Sequence, residues 1–317
     1  MNTRMLIMAA KGLACYVPGL RRLSGGTGGT NSARYCYSVW LRHLVMASRH
    51  GLGAVPESVA ELGPGDSLGT GVAALLSGAS RYCALDLIAF ANPQMNLRIF
   101  DELVELFRRR APIPDQAELP ALKPLLDLYD FPHHLVTQEV LDWALAAPRV
   151  AAIRRAIASP ADAAGGEVRV AYRAPWHDAK VIEPGAVDMV FSQSVLQHVD
   201  DLETTYAALH AWLKSGGIMT HQVGFGCHGT AQEWNGHWAY GDWAWKIMRG
   251  GRPYLTNRQP HSVHVGLFRK HGFEIVCDVR RTETSGIGRD RLARRFRDMS
   301  DEDLTTMSAF IIAIRGA

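Results

Sequence analysis

The sequence contains few cysteines, and none of them are spaced as a pair. Its 317 residues include 5 cysteines, at Cys15, Cys36, Cys83, Cys227 and Cys277, without a CxxC motif. An odd, scattered set of this kind argues against a disulfide framework. We therefore expect a protein of a reducing compartment, the cytoplasm.

The chain also lacks a strong charge bias and a long apolar run. Its 34 Lys and Arg residues stand against 31 Asp and Glu residues, a net charge of +3, so nothing calls for a nucleic-acid partner. The apolar stretch over residues 5–20 is interrupted by Lys11 and ends near Pro18, which predicts a short amphipathic helix without stable membrane insertion. Packing of this helix on the protein body is favoured, and contact with a membrane surface is the alternative.

The length predicts one core domain with additions, because single cores stop growing near roughly 250–300 residues. The segment SGGTGGTNS, Ser24–Ser32, has linker composition and lacks the GK[ST] ending of a phosphate-binding P-loop. A helical pattern follows it as far as Gly51. We predict an N-terminal helical extension and linker over residues 1–57 and a core over residues 58–317.

The strongest local pattern runs from Ser58 to Leu87. A short apolar run leads into a glycine turn, a helix follows, and a second apolar run ends in an acid, which predicts one βαβ unit. Residues 88–165 are far longer than an ordinary connection and are mostly helical in pattern, so we predict a helical insertion or lid there. Strand patterns resume in EVRVAY, VDMVFSQ, GGIMTHQV, FEIVCDV and MSAFIIAIR. The fold class is therefore α/β, with a Rossmann-like sheet.

The glycine turn after the first strand favours a ligand with a ribose and a positively charged tail. Gly63 and Gly65 allow a ligand to approach the backbone closely. Asp66 occupies the place where the pyrophosphate of a dinucleotide would rest on the helix N-terminus, which disfavours a nicotinamide oxidoreductase. Asp86 ends the second strand and can accept hydrogen bonds from ribose hydroxyls.

These residues resemble the class I S-adenosylmethionine-dependent methyltransferases. The family's ExGxG turn matches Glu61, Gly63 and Gly65, and Ser67 replaces the family's third glycine. GAVDMVFSQSVLQHVDD resembles its fourth strand and the following helix, LKSGGIMTHQV its turn into the fifth strand, and FEIV and AFIIAI its last two strands. The resemblance covers residues 59–87 and 167–315.

The resemblance implies a seven-stranded mixed sheet with an antiparallel last strand, and S-adenosylmethionine as cofactor. Trp176 stands near the place of the adenine-side acid of many relatives, where it either stacks on adenine or belongs to the core. The cofactor-binding residues that we predict are Glu61, Gly63, Pro64, Gly65, Ser67, Asp86, Leu87, Trp176 and Ser192.

Methyl transfer needs an aligned acceptor and, for a hydroxyl acceptor, a base. Histidine suits this role at neutral pH, and histidines are concentrated after the fifth strand pattern. We predict His221 as the first candidate, with His228, His237 and Tyr240 as further catalytic candidates. The alternative for His221 is a buried, hydrogen-bonded strand residue. His198, in the segment after the fourth strand, is expected to be structural.

The aromatic and histidine-rich loop over residues 224–258 predicts part of an acceptor site. Trp238 offers a ring for a sugar or planar acceptor, although a cap of large rings over the core is an equal alternative. Asn257, Arg258 and His261 are predicted to bind the acceptor, and the alternative for Arg258 is a structural ion pair. The many histidine bases and the absence of an NPPY-like tetrapeptide favour O-methylation of a small-molecule or saccharide acceptor.

Several alternatives stay open at this point. A metal could be held by His228, His261 and His264, although no acid is placed with them and no metal is predicted. The same turn would also serve an enzyme that releases methylthioadenosine, or a non-catalytic Rossmann-like binding module. A homodimer is left open. The whole-chain pattern looks similar to bacterial methyltransferases of glycan modification or secondary metabolism.

Overall fold

The computed structural model describes residues 3–15, 29–160, 166–176, 178–252 and 255–316. Most of the predicted glycine linker, residues 24–28, lies outside the described residues. Among the described residues, no helix is long and apolar enough to cross a membrane.

One mixed sheet of seven strands forms the centre of the fold. The strands are β1 (Ser58–Leu62), β2 (Arg81–Leu85), β3 (Arg169–Arg173), β4 (Val187–Gln193), β5 (Leu213–Gly224), β6 (Phe273–Thr282) and β7 (Thr306–Arg315). Their order is β3-β2-β1-β4-β5-β7-β6, and β7 is antiparallel to both of its neighbours. The predicted fold class is confirmed.

Ten α-helices surround the sheet in the described part of the chain. They are α1 (Thr3–Ala14), α2 (Ala33–Arg49), α3 (Gly69–Leu76), α4 (Pro93–Arg108), α5 (Gln138–Ala144), α6 (Ala147–Ala158), α7 (Leu202–Trp212), α8 (Asp242–Arg249), α9 (His261–Lys270) and α10 (Asp301–Thr305). Local sequence explains their starts: the Asn92 side chain caps α4, whose first residue is Pro93.

The strand register brings the carboxyl ends of four parallel strands to one edge of the sheet. Leu62 at the end of β1 is level with Leu85 of β2 and with Ser192 of β4. Ser192 is in turn level with His221 of β5. Ligands of open α/β sheets bind at this edge, so the residues that follow these strands form the candidate site.

The predicted helical insertion is part of the core and does not form a separate lid. Ile99, Phe100 and Phe107 of α4 and Ile153 of α6 are buried in the same cluster as α2, α3 and one face of the sheet. Helices α7 and α9 cover the other face. Amphipathic helices of this length bury their apolar side against the nearest sheet, which explains the correction.

The predicted N-terminal extension divides into two parts with different contacts. Helix α2 is almost wholly buried and belongs to the core layer, so residue 57 is not a boundary in the packing. Helix α1 lies on α8, where Met8 joins Trp245 and Met248 in a small apolar cluster. Their contact requires Gly12, because a Cβ there would come within 2.1 Å of the Ile247 carbonyl oxygen.

A fully buried arginine ties α2 to the chain that follows α4. The Arg42 guanidinium donates to the carbonyl oxygens of Leu122 (3.0 Å), Pro124 (2.7 Å) and Pro114 (2.7 Å), and its Nε donates to Ser38 Oγ at 3.0 Å. One side chain therefore satisfies carbonyl groups of a segment that has little regular structure of its own.

Replacing this arginine should destabilise the fold strongly. We expect Arg42→Met to lower the free energy of unfolding by about 3 kcal/mol, because several buried carbonyl groups lose their donor. Arg49→Met is the matched control, since Arg49 lies about two turns further along α2 in an exposed pair with Asp127, and should change the free energy of unfolding by less than about 1 kcal/mol. Urea unfolding measures both, and equal effects would contradict the assignment.

Candidate active site

The glycine turn after β1 has the backbone conformation that the sequence predicts. Gly63 and Gly65 have φ angles of 64° and 75°, in the left-handed region that favours glycine. A Cβ on Gly63 would lie 2.5 Å from a methyl carbon of Val195. The turn therefore lies directly against the segment that follows β4.

Asp86 lies beside this turn at the end of β2. Its Oδ1 accepts hydrogen bonds from the backbone N–H groups of Leu87 at 2.7 Å and Ile88 at 3.5 Å. Burial raises the pKa of the Asp86 carboxyl, and the backbone N–H groups of Leu87, Ile88 and Gly65 oppose that rise. The carboxyl group thus neighbours both Gly65 and the exposed Leu87, as a ribose-binding acid requires.

Glu61 of β1 is hydrogen-bonded to the neighbouring strand β2. The side chain is buried, and the Tyr82 hydroxyl donates to its Oε2 at 2.5 Å. Burial raises the pKa of the Glu61 carboxyl to about 8 because the charged form loses its hydration. Its side chain is thus occupied by groups of the protein, and its predicted contact with the cofactor stays a prediction.

Ser67 is hydrogen-bonded to Thr30 in the N-terminal segment, so its predicted contact with the cofactor is corrected. Its hydroxyl donates to the Thr30 carbonyl oxygen, and its backbone N–H donates to Thr30 Oγ1 at 3.0 Å. The Thr30 hydroxyl in turn donates to the Pro64 carbonyl oxygen at 2.6 Å. Thr30 thus fastens the end of the linker to the turn, a role that the sequence did not reveal.

Of two further residues that were predicted to bind the cofactor, Trp176 lies beside Asp86 and Ser192 lies inside the sheet. The Trp176 backbone N–H donates to the Asp86 carbonyl oxygen at 3.1 Å, and its half-buried ring packs edge-on against Trp212, which keeps it near the predicted adenine side. Ser192 is buried inside the sheet, where its hydroxyl lies 2.7 Å from Nδ1 of His221. Its predicted cofactor contact is not formed by this geometry.

His221 is a buried strand residue. It is 0% exposed and lies against Phe268 of α9. Burial lowers the pKa of its imidazole to about 3, since the charged form has no access to water. The prediction of His221 as the first catalytic base was wrong, and the alternative of a hydrogen-bonded core histidine is the correct one.

The aromatic loop forms a cap over the core. Trp238 is fully buried, and its Nε1 donates to the Arg258 carbonyl oxygen at 3.1 Å. His237 is buried against the Trp238 ring, and burial lowers the pKa of His237 to about 3. The Tyr240 hydroxyl donates to the Thr230 carbonyl oxygen at 3.0 Å. These contacts assign the buried His237 and Trp238 to the packing of the cap, which corrects their predicted roles. The role predicted for the half-buried Tyr240 stays a prediction.

The three residues that were predicted to bind the acceptor are also hydrogen-bonded to other segments of the protein. Asn257 Nδ2 donates to the carbonyl oxygens of Leu196 and Val199. Arg258 donates to the Tyr240 carbonyl oxygen and to Asp242 Oδ1, both at 2.6 Å, and His261 Nε2 lies 3.0 Å from Asp278. The structural ion pair was the alternative for Arg258, and the geometry favours it.

His228 is the catalytic candidate that keeps an exposed position at the ligand-binding edge. It follows β5, has a φ of 46° and packs edge-on against the His198 ring, with centroids 4.9 Å apart. Partial burial of the ring lowers the pKa of His228 below 6.5, so the imidazole is neutral at pH 7. A neutral, accessible imidazole can accept a proton.

Gln197 is a residue that the sequence analysis missed. It lies in the short turn Leu196–His198 after β4, and it is 2% exposed. The point where a Cβ of Gly224 would lie is 3.6 Å from Gln197 Nε2 and 3.9 Å from His228 Nε2. The two side chains therefore meet over Gly224 at the end of β5. Only the pairing of β4 with β5 brings them together, and that pairing cannot be read from their spacing.

Comparison with known proteins finds a family model that matches part of the chain. The family model described as "Methyltransferase domain" matches residues 155–220, a range that includes β3, β4, the turn with Gln197 and the first part of β5. Residues 155–220 of the chain therefore resemble a methyltransferase domain, in agreement with the predicted family.

Solved structures similar to this chain have low sequence identity to it. An S-adenosylmethionine-dependent methyltransferase from Mesorhizobium loti is 15% identical over 85% of this chain and 96% of its own, with a TM-score of 0.40. One from Methanosarcina mazei is 12% identical over 86% and 97%, with a TM-score of 0.43. Haemonchus contortus phosphoethanolamine N-methyltransferase 2 is 14% identical over 88% and 53%, with a TM-score of 0.42. No curated protein matches the sequence of this chain.

The arrangement of the histidines does not support the alternative of a metal held by them. His261 is bonded to Asp278, and Nδ1 of His264 lies 3.0 Å from the Tyr206 hydroxyl. Within the part of the chain that the structure describes, no group of three or more His, Cys, Asp or Glu side chains is arranged to hold an ion.

Proposed function

We propose that this protein is an S-adenosylmethionine-dependent methyltransferase that O-methylates a neutral small-molecule or saccharide-type acceptor, with His228 as the base. The observation that carries the proposal is the position of His228, exposed and beside Gly224 at the carboxyl edge of β5. The other histidines predicted for catalysis, His221 and His237, are buried and cannot reach an acceptor.

The cofactor would lie along the carboxyl ends of β1 and β2. Gly63 and Gly65 keep the turn free of side chains, and the Asp86 carboxyl group would accept hydrogen bonds from the ribose hydroxyls. Trp176 would flank the adenine side, since its backbone is bonded to Asp86. When bound, S-adenosylmethionine supplies a methyl group on a sulfonium that serves as its own leaving group.

His228 would remove the proton that the acceptor hydroxyl loses. The hydroxyl oxygen forms a bond to the methyl carbon as the carbon–sulfur bond breaks, the electron pair stays on sulfur, and the hydroxyl proton moves to His228. The products are a methyl ether, S-adenosylhomocysteine and a proton that the imidazole later releases to water. A neutral imidazole before the reaction agrees with the lowered pKa of His228.

The proposed cofactor site predicts a specific loss of binding. Asp86→Ala should weaken the binding of S-adenosylmethionine and S-adenosylhomocysteine by more than about tenfold, because two ribose hydroxyls lose a charged acceptor. Calorimetric titration measures this change. Asp127→Ala is the control, because the Asp127 side chain is 86% exposed in a surface pair, and it should bind both compounds as the wild type does.

The reaction products separate the proposal from its alternatives. Wild-type protein incubated with S-adenosylmethionine and candidate acceptors should yield S-adenosylhomocysteine together with an acceptor heavier by one methylene group. If the nucleoside product is methylthioadenosine, the protein does not transfer a methyl group, and the alternative of an enzyme that releases methylthioadenosine is favoured. Well-folded wild type that binds neither cofactor form would favour a binding module.

A further inference from the structure

The Gln197 amide is buried without a hydrogen-bond partner. Among the described residues, neither its Nε2 nor its Oε1 has one, and both atoms are shielded from solvent. Leaving a buried amide unpaired destabilises a folded protein, so such groups call for an explanation in a bound ligand or an ordered water. The glutamine stands at the carboxyl end of β4, inside the edge where the acceptor must meet the cofactor.

The backbone around this amide is held firmly. The Gln197 carbonyl oxygen accepts a hydrogen bond from the Asn257 backbone N–H at 2.7 Å. The Asn257 side chain donates to Leu196 and Val199 on either side of it. The fold therefore fixes the backbone from which the amide projects. A side chain held in this way presents its amide in a defined orientation, which favours a role in ligand recognition.

The space next to the amide is lined by Gly224 and His228. A Cβ on Gly224 would make only ordinary contacts, 3.6 Å from Gln197 Nε2 and 3.9 Å from His228 Nε2. The absence of that side chain leaves room for one small polar group between the two.

The polar groups that meet here are neutral. His228 is uncharged at pH 7 because partial burial lowers its pKa. Arg258, the arginine predicted for acceptor binding, is occupied by Asp242 and the Tyr240 carbonyl oxygen. A carboxylate or phosphate would find no free cation among these residues, whereas an amide both donates to and accepts from hydroxyl groups.

We infer that Gln197 binds the acceptor through a pair of adjacent hydroxyl groups. This inference rests on the proposed function and narrows its acceptor to a neutral diol, either a saccharide or a catechol-type ring. The amide carbonyl oxygen accepts from one hydroxyl and the amide NH₂ donates to the same or the neighbouring hydroxyl. His228 faces the hydroxyl that is methylated.

Gln197→Met tests recognition against a purely structural role. Methionine keeps the length of the side chain and removes both polar atoms, so a ligand-binding amide predicts a melting temperature equal to or above that of the wild type. The same variant should bind neutral diols about tenfold more weakly, the loss of one good hydrogen bond. A lower melting temperature with unchanged diol binding would show a structural amide and overturn the inference.

Gly224→Ala tests the space itself. The added methyl group fills the gap between Gln197 and His228 without a severe overlap, so the protein should fold and bind diols at least about tenfold more weakly. Gly226→Ala is the matched control two residues further on, where the nearest atom lies 3.7 Å away. Equal diol binding by both alanine variants would contradict the inference.

The probes are methyl glucoside and catechol, with glucuronate and benzoate as anionic counterparts. Each is titrated by saturation-transfer NMR into protein loaded with S-adenosylhomocysteine. Binding of a neutral diol in preference to the anions is expected. Loading without diol binding, or a preference for the anions, overturns the inference and leaves the proposed methyltransferase function standing. Failure to load S-adenosylhomocysteine would instead contradict the proposed function.

Discussion

Lowering the pH from 7 to 5 should remove about 5 kcal/mol from the free energy of unfolding. Burial lowers the pKa of His43 to about 4 and the pKa values of His221, His237 and His264 to about 3. The unfolded chain takes up these protons below about pH 6.5, and the folded chain does not until pH 3–4. Stability is therefore lost as the pH falls through that window, by about 2 kcal/mol for each histidine at pH 5.

Glu61 acts in the opposite direction and is included in that total. Burial raises the pKa of its carboxyl to about 8, so the folded state holds a proton that the unfolded state releases above about pH 4.5. Its contribution to stability is complete at low pH and is lost as the pH rises through 8. Between pH 7 and pH 5 it offsets about 2–3 kcal/mol of the loss caused by the histidines.

Urea unfolding at several pH values between 7 and 5 measures the expected slope. His264→Gln should lower the mean slope between pH 7 and pH 5 by about 1 kcal/mol for each pH unit, whatever the variant does to stability at pH 7. His134→Gln is the control because His134 is exposed. A free energy of unfolding that is constant from pH 7 to pH 5 would show that the buried histidines do not couple folding to protons.

Removing the His228 imidazole should lower kcat for methyl transfer by about 10²–10⁴-fold, the contribution of a general base. The acceptor is the compound found by product mass. Wild-type kcat should rise with pH as His228 loses its proton, with an apparent pKa below 6.5 because partial burial lowers it. His228→Ala should lose this rise, and added imidazole should restore part of the rate.

Cofactor binding separates this effect from misfolding. His228→Ala should bind S-adenosylhomocysteine as the wild type does, because the proposed cofactor residues Gly63 and Asp86 are unchanged. His133→Ala is the control, since His133 is exposed in the segment before α5, and it should keep the full rate. A kcat and pH profile of His228→Ala equal to those of wild type would exclude His228 as the base.

The strands and the glycine turn could be predicted because their causes are local. Alternating and continuous apolar runs mark strands, and the positive φ angles of Gly63 and Gly65 require the residue that the sequence places there. Asp86 could be placed because a strand end and a βαβ unit fix its position relative to the turn. These features depend on residues less than about thirty positions apart.

The roles of individual polar side chains could not be predicted from their neighbours in sequence. His221 and His228 are seven residues apart and looked equally suitable as bases, yet one is buried under α9 and the other is exposed. Asn257 and Arg258 looked like ligand donors, but carbonyl groups and a carboxylate from other segments occupy them. The decisive partners come from distant parts of the chain.

The sequence by itself determined the class of fold, the glycine turn after β1 and the acid beside it, because backbone conformation and apolar periodicity are properties of short segments. The tertiary structure alone decided which histidine is accessible, that Thr30 fastens the turn, and that Gln197 and His228 meet over Gly224. The physical reason is that burial and hydrogen-bond pairing depend on which strands and helices pack together, and packing joins residues that no local pattern relates.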